Sequence, residues 1–127
     1  MILRHAKAVP WYPGVGDYHR SLSNVGTRHA RELAKWMCDH LEAPDKILCS
    51  ASLRTRETLL PLLSRNPELE SVSSYIPEIY GASTSTLLSL LDLGFAEADR
   101  VLMVGHNPGF ELLAYHVIAQ SEYDKIR

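Results

Sequence analysis

Only two cysteines, Cys38 and Cys49, occur in the 127 residues of the chain. They do not form a CxxC pair, and two thiols cannot build a dense disulfide framework. Cys38 falls in a helical pattern and Cys49 at the end of a strand pattern, so both are expected as small core residues. Long apolar runs are missing as well. None approaches the roughly 20 residues that a membrane helix needs, and Met1-Ile2-Leu3-Arg4 opens the chain without a long apolar leader. The expected setting is therefore cytoplasmic, with no membrane contact. Charge of one sign is scarce too. The net charge is −2, which does not indicate a broad nucleic-acid surface, although it leaves room for a local basic site. Internal repeats and low-complexity stretches are absent.

Hydrophobic residues make up 46% of the chain, enough for the core of a single domain over 1–127. Pro10, Pro13, Gly14 and Gly16 mark Pro10 to Arg20 as a loop. Ser23 offers an N-cap, and Val25, Ala30, Leu33, Ala34, Met37 and Leu41 follow at helical spacing, predicting a helix from Asn24 to Glu42 that Pro44 stops. Lys46 to Cys49 reads as a strand. Ser52 can cap a second helix starting near Leu53, which Pro61 should kink or shorten. Ser71 to Ile76 reads as a weaker strand. Ser83 to Leu93 is a leucine-rich helix with Gly94 as a plausible C-cap. Arg100 to Val104 is a strongly apolar strand, and Phe110 to Ala119 a final helix. With a first strand at Met1 to Arg4, strands and helices alternate. That order predicts an α/β fold of three layers, a largely parallel central sheet flanked by helices.

Sites in open α/β sheets form at the carboxyl ends of strands. Arg4-His5-Ala6, Ser50-Ala51-Ser52-Leu53-Arg54 and Gly105-His106-Asn107-Pro108-Gly109 follow three predicted strands, so two histidines and two arginines converge on one edge. Such a set suits a phosphoryl group. Arg4 and Arg54 would supply fixed positive charge that grips oxygens in pairs. Arg54 would also sit in the first turn of its helix, where free N–H groups attract an anion. A neutral His5 could attack phosphorus and form a covalent phosphohistidine. Its other ring nitrogen then needs an acceptor, for which a backbone carbonyl in the Ala6 to Ala8 turn is the natural choice. His106 could hydrogen-bond the transferring group, preferably while protonated. Taken singly, each of these residues has a plainer structural reading; their convergence carries the inference. His29 and His40 are expected on a helix surface and His116 at a helix flank. A metal site from His5 and His106 ranks low, because no HExxH, HxH or carboxylate cluster accompanies them.

At these residues the sequence resembles the histidine phosphatase superfamily, specifically its small SixA-type phosphohistidine phosphatase branch. Leu3-Arg4-His5-Ala6-Lys7-Ala8 is similar to the branch's form of the Arg-His-Gly motif. Asp17-Tyr18-His19-Arg20-Ser21-Leu22-Ser23 with Gly26 resembles the lead into the first long helix. Ser50-Ala51-Ser52-Leu53-Arg54-Thr55-Arg56-Glu57-Thr58 resembles the second motif, with Ala51, Thr55 and Glu57 in place of its proline, alanine and glutamine. Val104-Gly105-His106-Asn107-Pro108-Gly109 matches the third. The resemblance spans nearly the whole chain and implies a phosphoglycerate mutase-like fold. It implies His5 as the phosphorylated nucleophile, Arg4, Arg54 and His106 around the phosphate, and neither metal nor organic cofactor.

Two departures stand out. Many superfamily members carry an acid between the second and third motifs; here Glu78, in Pro77-Glu78-Ile79-Tyr80-Gly81, is the candidate general acid. Relatives usually continue past the last helix into a further strand, whereas this chain stops at Arg127, so a C-terminal strand is expected to be missing. The implied activity is removal of phosphate from phosphohistidine on a protein, such as a phosphohistidine carrier domain. The alternatives are a small-molecule phosphomonoesterase or mutase and a non-catalytic phosphoprotein-binding module.

Overall fold

The computed structural model describes residues 1–126. Four strands, β1 (Ile2–Arg4), β2 (Lys46–Ser50), β3 (Ser73–Ile76) and β4 (Val101–Gly105), alternate with four helices. These are α1 (Asn24–His40), α2 (Leu53–Arg65), α3 (Thr84–Glu97) and α4 (Gly109–Ile126). Short 3-10 turns cover Asp17–His19, Pro67–Val72 and Pro77–Ile79. All strand pairs are parallel, in the order β1-β4-β2-β3.

The period of two along a strand assigns alternate residues to opposite faces. Ile47, Cys49, Leu102 and Val104 pack with Ala34 and Met37 of α1 and Leu59, Leu62 and Leu63 of α2. Leu48, Val101 and Met103 pack on the other face with Leu87 of α3 and Phe110 and Leu113 of α4. β4 is buried at every position, as expected of a strand covered on both faces. The result is the expected three-layer α/β architecture.

Strand order places the chemistry. Because β4 lies between β1 and β2, the residue after β4 falls between those that follow the other two. The register pairs Arg4 with Gly105 and Cys49 with Val104. His5 and His106 therefore leave adjacent strands side by side, with Ser50 beyond. The His5 N–H donates to the Gly105 carbonyl at 3.0 Å, extending the ladder by one residue.

Several local expectations are corrected. α1 ends at His40 rather than Glu42, with Leu41 already extended. Pro61 lies inside α2 without ending it, and the helix runs on to Arg65. Ser52 occupies the N-cap position, but its hydroxyl pairs with Thr55 Oγ1 at 2.7 Å instead of a backbone N–H. Gly94 is no C-cap: α3 continues to Glu97, and a side chain at 94 would press within 3.3 Å of Leu48 and Val101. That glycine lets the helix lie close on the sheet. The third strand starts at Ser73, because Pro67–Val72 coils into a 3-10 turn. Cys49 is buried as expected, with its thiol pushed up to about 12 by burial, but Cys38 is exposed on α1. A helix places every third or fourth residue inward, and Ala34 and Met37 already fill that face. Ser23 does cap α1 as expected, accepting from Gly26 N–H at 3.0 Å.

Candidate active site

The β1–α1 connection is pinned before it reaches the site. Gly26 sits so close to Lys7 that a Cβ there would lie 2.0 Å from the Lys7 carbonyl oxygen. Ser23 N–H donates to that same oxygen at 2.9 Å, and Glu57 Oε1 accepts from Leu22 N–H at 2.9 Å. α1, α2 and the loop after β1 are thereby locked together. Thr58 completes the lock beneath His5. Its hydroxyl accepts from Ala6 N–H at 3.0 Å and donates to the Arg54 carbonyl at 2.7 Å.

The fixed Ala6 peptide orients His5. His5 Nδ1 lies 2.6 Å from the Ala6 carbonyl oxygen. A carbonyl can only accept, so Nδ1 carries the proton and Nε2 keeps its lone pair. Arg54 Nε–H points at Nε2 from 3.3 Å, consistent with that tautomer. Burial lowers the His5 pKa below its usual 6.5, and the positive charges of Arg54, Arg4 and Arg20 lower it further, against the Ala6 bond. The half-buried imidazole is thus held neutral at its reactive nitrogen. The acid limb of kcat/KM with p-nitrophenyl phosphate should accordingly fall below pH 6.5, since protonation removes the lone pair. A limb centred above 6.5 would contradict the assigned state.

Arg54 is 5% exposed, and every nitrogen of its guanidinium is engaged. Besides Nε on His5, Nη1 donates to the Asp17 carbonyl at 2.6 Å and Nη2 to Asp17 Oδ2 at 3.0 Å. Asp17 is itself clamped. Arg20 reaches Oδ1 at 2.8 and 2.9 Å, and the Tyr80 hydroxyl donates to Oδ2. The Tyr80 bond above all, with the two arginines, holds the Asp17 carboxyl down to about 2 despite some burial. The Tyr80 ring stands edge-on to His106 with centroids 5.2 Å apart, and Arg54 lies 5.8 Å from its centre.

His106 is buried, its ring centroid 5.4 Å from that of His5. Nε2 pairs with Ser50 Oγ at 2.7 Å. Nδ1 is buried without a hydrogen-bond partner among the described residues. Burial, followed by the charges of Arg54 and His5, pushes the ring's pKa down to about 4, with Asp17 opposing. The expectation of a protonated His106 is therefore corrected: at neutral pH the ring is neutral and has one proton to place.

A cavity of about 340 Å³ opens beside these groups, lined by Asp17, Arg54, Tyr80, His106 and the Asn107-Pro108-Gly109 turn. A larger one, about 590 Å³, lies at the amino ends of the strands among residues such as Met37, Leu62 and Phe95. It holds none of the histidines and is not the site.

Of the five residues singled out in the sequence, the structure brings His5, Arg54 and His106 together. Arg4 ends β1, exposed and without a side-chain hydrogen bond to a described residue, and its charge bears on His5. Glu78 is not brought in. It lies exposed on the Pro77–Ile79 turn, its side chain makes no hydrogen bond to a described residue, and it does not line the cavity. The turn directs buried Ile79 into the core and Tyr80 to the site instead. Asp17, Tyr80, Ser50 and Thr58 were not picked out as site residues. Ser50 and Thr58 lie within the stretch that resembles the second motif, and Asp17 stands near Arg20 in a Gly/Pro loop, but neither signal reveals that Ser50 pairs with His106 or that the loop folds back onto Arg54.

No protein-family model matches the chain. An uncharacterised protein of Mycobacterium tuberculosis is 32% identical over 113 residues, covering 88% of this chain and 67% of the relative. One from Mycobacterium leprae is 29% identical over 117 residues, covering 68% of its length. Among solved structures, the SixA protein of Agrobacterium tumefaciens, assigned as a phosphohistidine phosphatase, matches with a TM-score of 0.87 at 34% identity. The match covers 94% of this chain and 76% of that one. A SixA protein of Nakamurella, assigned likewise, gives 0.84 at 31% identity over 97% and 67%. A protein histidine phosphatase SixA complexed with tungstate shares the fold, with a TM-score of 0.77 at 24% identity over 89% and 72%. Identity of this order over nearly the whole chain establishes that the chain belongs to the SixA-type branch of the histidine phosphatase superfamily.

Proposed function

We propose that the chain is a metal-independent phosphatase that removes phosphate from phosphohistidine on a protein by way of a phosphoryl group carried on His5. The observation that carries this reading is the His5 tautomer. Nδ1 lies 2.6 Å from the Ala6 carbonyl oxygen and holds the proton there, which leaves Nε2, 3.3 Å from Arg54 Nε, as the nitrogen with the lone pair. In the first step Nε2 bonds to phosphorus, and the leaving imidazole takes the electrons of the broken P–N bond together with a proton acquired before departure. Water then attacks phosphorus, the P–N bond pair returns to Nε2, and both protons of the water leave with the phosphate as dihydrogen phosphate, which regenerates neutral His5. Arg54 and Arg4 offset the charge on the phosphoryl oxygens.

Fixed guanidinium charge does here what a metal would do elsewhere, and among the described residues no cluster of His, Cys, Asp or Glu is arranged to hold a metal ion. Turnover should survive EDTA and be inhibited by tungstate or vanadate. Loss on chelation, restored by a divalent ion, would sink the metal-free reading.

The phosphorylated partner is proposed to be a protein because an exposed Arg4 and a half-buried His5 leave the nucleophile reachable by a protruding side chain. Wild type and His5→Ala should be assayed against phosphohistidine peptides, phosphoserine peptides and sugar phosphates. Phosphate release from the first by wild type alone supports the reading. Preference for a sugar phosphate would favour a small-molecule enzyme, and release from none would favour a binding module.

Glu78, placed outside the cavity, has no part in this scheme. Glu78→Gln should change kcat by less than about twofold on p-nitrophenyl phosphate and on an alkyl phosphate alike, against the roughly 10²–10⁴-fold of a true general acid. A selective loss on the alkyl ester would restore it to the acid role.

A further inference from the structure

We propose that Ser50 is a positioning residue: its hydroxyl donates to His106 Nε2 and so makes Nδ1–H the donor that His106 presents to the transferring phosphoryl group. This rests on the phosphoryl-transfer reading above and adds which atom does the work and what sets it.

Ser50 is the last residue of β2 and is fully buried. Its Oγ lies 2.7 Å from His106 Nε2 and makes no other hydrogen bond among the described residues. One proton lies between the two atoms, so two arrangements compete. If Nε2–H donated to Ser50, the serine O–H would be left buried with no acceptor, and the Nδ1 lone pair would be left without a donor. Two buried polar groups would then go unpaired. If Ser50 donates, both Ser50 and Nε2 are satisfied and only Nδ1–H remains free.

Nδ1 is the unpaired nitrogen of a side chain that is 7% exposed and lines the cavity. Because Nδ1 has no partner among the described residues, an N–H there can be satisfied by an anion that enters the cavity the ring lines, whereas a lone pair there would repel the phosphoryl oxygens. The ring's depressed pKa supports this reading, because a neutral imidazole has one proton and its location decides what the ring can do. The two histidines would share the Nδ1–H tautomer with opposite consequences. His5 ties that proton to Ala6 and offers a lone pair; His106 ties up its Nε2 and offers the proton.

The test reads the tautomer directly. Nitrogen-15 long-range NMR on the ligand-free full chain at neutral pH should show His106 with a protonated Nδ1 and a bare Nε2. The opposite assignment overturns the proposal. In Ser50→Ala, whose folding the same spectra check, the His106 signals should move toward the Nε2–H form while those of His5 stay unchanged, and kcat should fall by about tenfold. An unchanged His106 tautomer in that variant would also overturn it. Asparagine at 106 places its amide near Nδ1, and glutamine near Nε2. His106→Asn should therefore keep at least about tenfold more activity than His106→Gln; the reverse order counts against the proposal. Wild type that turns over no phosphorylated substrate would sink the functional reading instead, leaving the tautomer result to stand by itself.

Discussion

His5→Ala should lose turnover by at least about 10⁴-fold, the scale expected when a covalent nucleophile is removed. No neighbour can take its place at the same geometry. His106, the nearest imidazole, has its Nε2 bound to Ser50, and the Arg54 Nε–H is aimed at His5 Nε2 rather than at any other base. The loss should be chemical rather than structural. His5 is only half-buried, and the turn around it is held by Thr58, Gly26 and Ser23. Circular dichroism and thermal unfolding should thus be close to wild type. Rapid quench with radiolabelled substrate should trap an acid-labile, base-stable phosphoenzyme in wild type and none in the variant. A full-strength phosphoenzyme in His5→Ala would move the nucleophile elsewhere, His106 being the next choice.

Arg54→Lys should cost about 10²–10³-fold in kcat, although it preserves the charge. One ammonium cannot reproduce three simultaneous contacts from a rigid fork: Nε to His5, Nη1 to the Asp17 carbonyl and Nη2 to its carboxylate. The same change should weaken tungstate binding and loosen the loop that Asp17 anchors. Kinetics and tungstate inhibition measured on one preparation check both. A lysine variant within about threefold of wild type would mean that bulk charge matters and the fork geometry does not.

Much of this site is legible in the sequence because strand ends are. β1, β2 and β4 are short apolar runs, and a parallel sheet has one carboxyl edge, so His5, Arg54 and His106 had to come near one another. A neutral His5 calls for a backbone acceptor in the Ala6 to Ala8 turn, but that the Ala6 carbonyl is the one was decided only by the structure. Glu78 misled for a physical reason. A turn residue's direction depends on which of its neighbours the core claims, and Ile79 is claimed here, which sends Tyr80 and not Glu78 toward the cavity. The state of His106 was hidden as well, because its charge depends on burial and on Arg54, His5 and Asp17, which other segments supply.

The sequence by itself determined the alternation of strands and helices, the parallel sheet and the three turns that carry the chemistry. Period and punctuation are local properties of a chain. Only the tertiary structure decided that β4 inserts between β1 and β2, that the loop after β1 folds back so that Asp17 clamps Arg54, and that Ser50 and Thr58 each hold a neighbouring strand end. Those outcomes rest on contacts between residues 37 to 101 positions apart. Such contacts are fixed by packing and by the pairing of buried polar atoms, which no local pattern records.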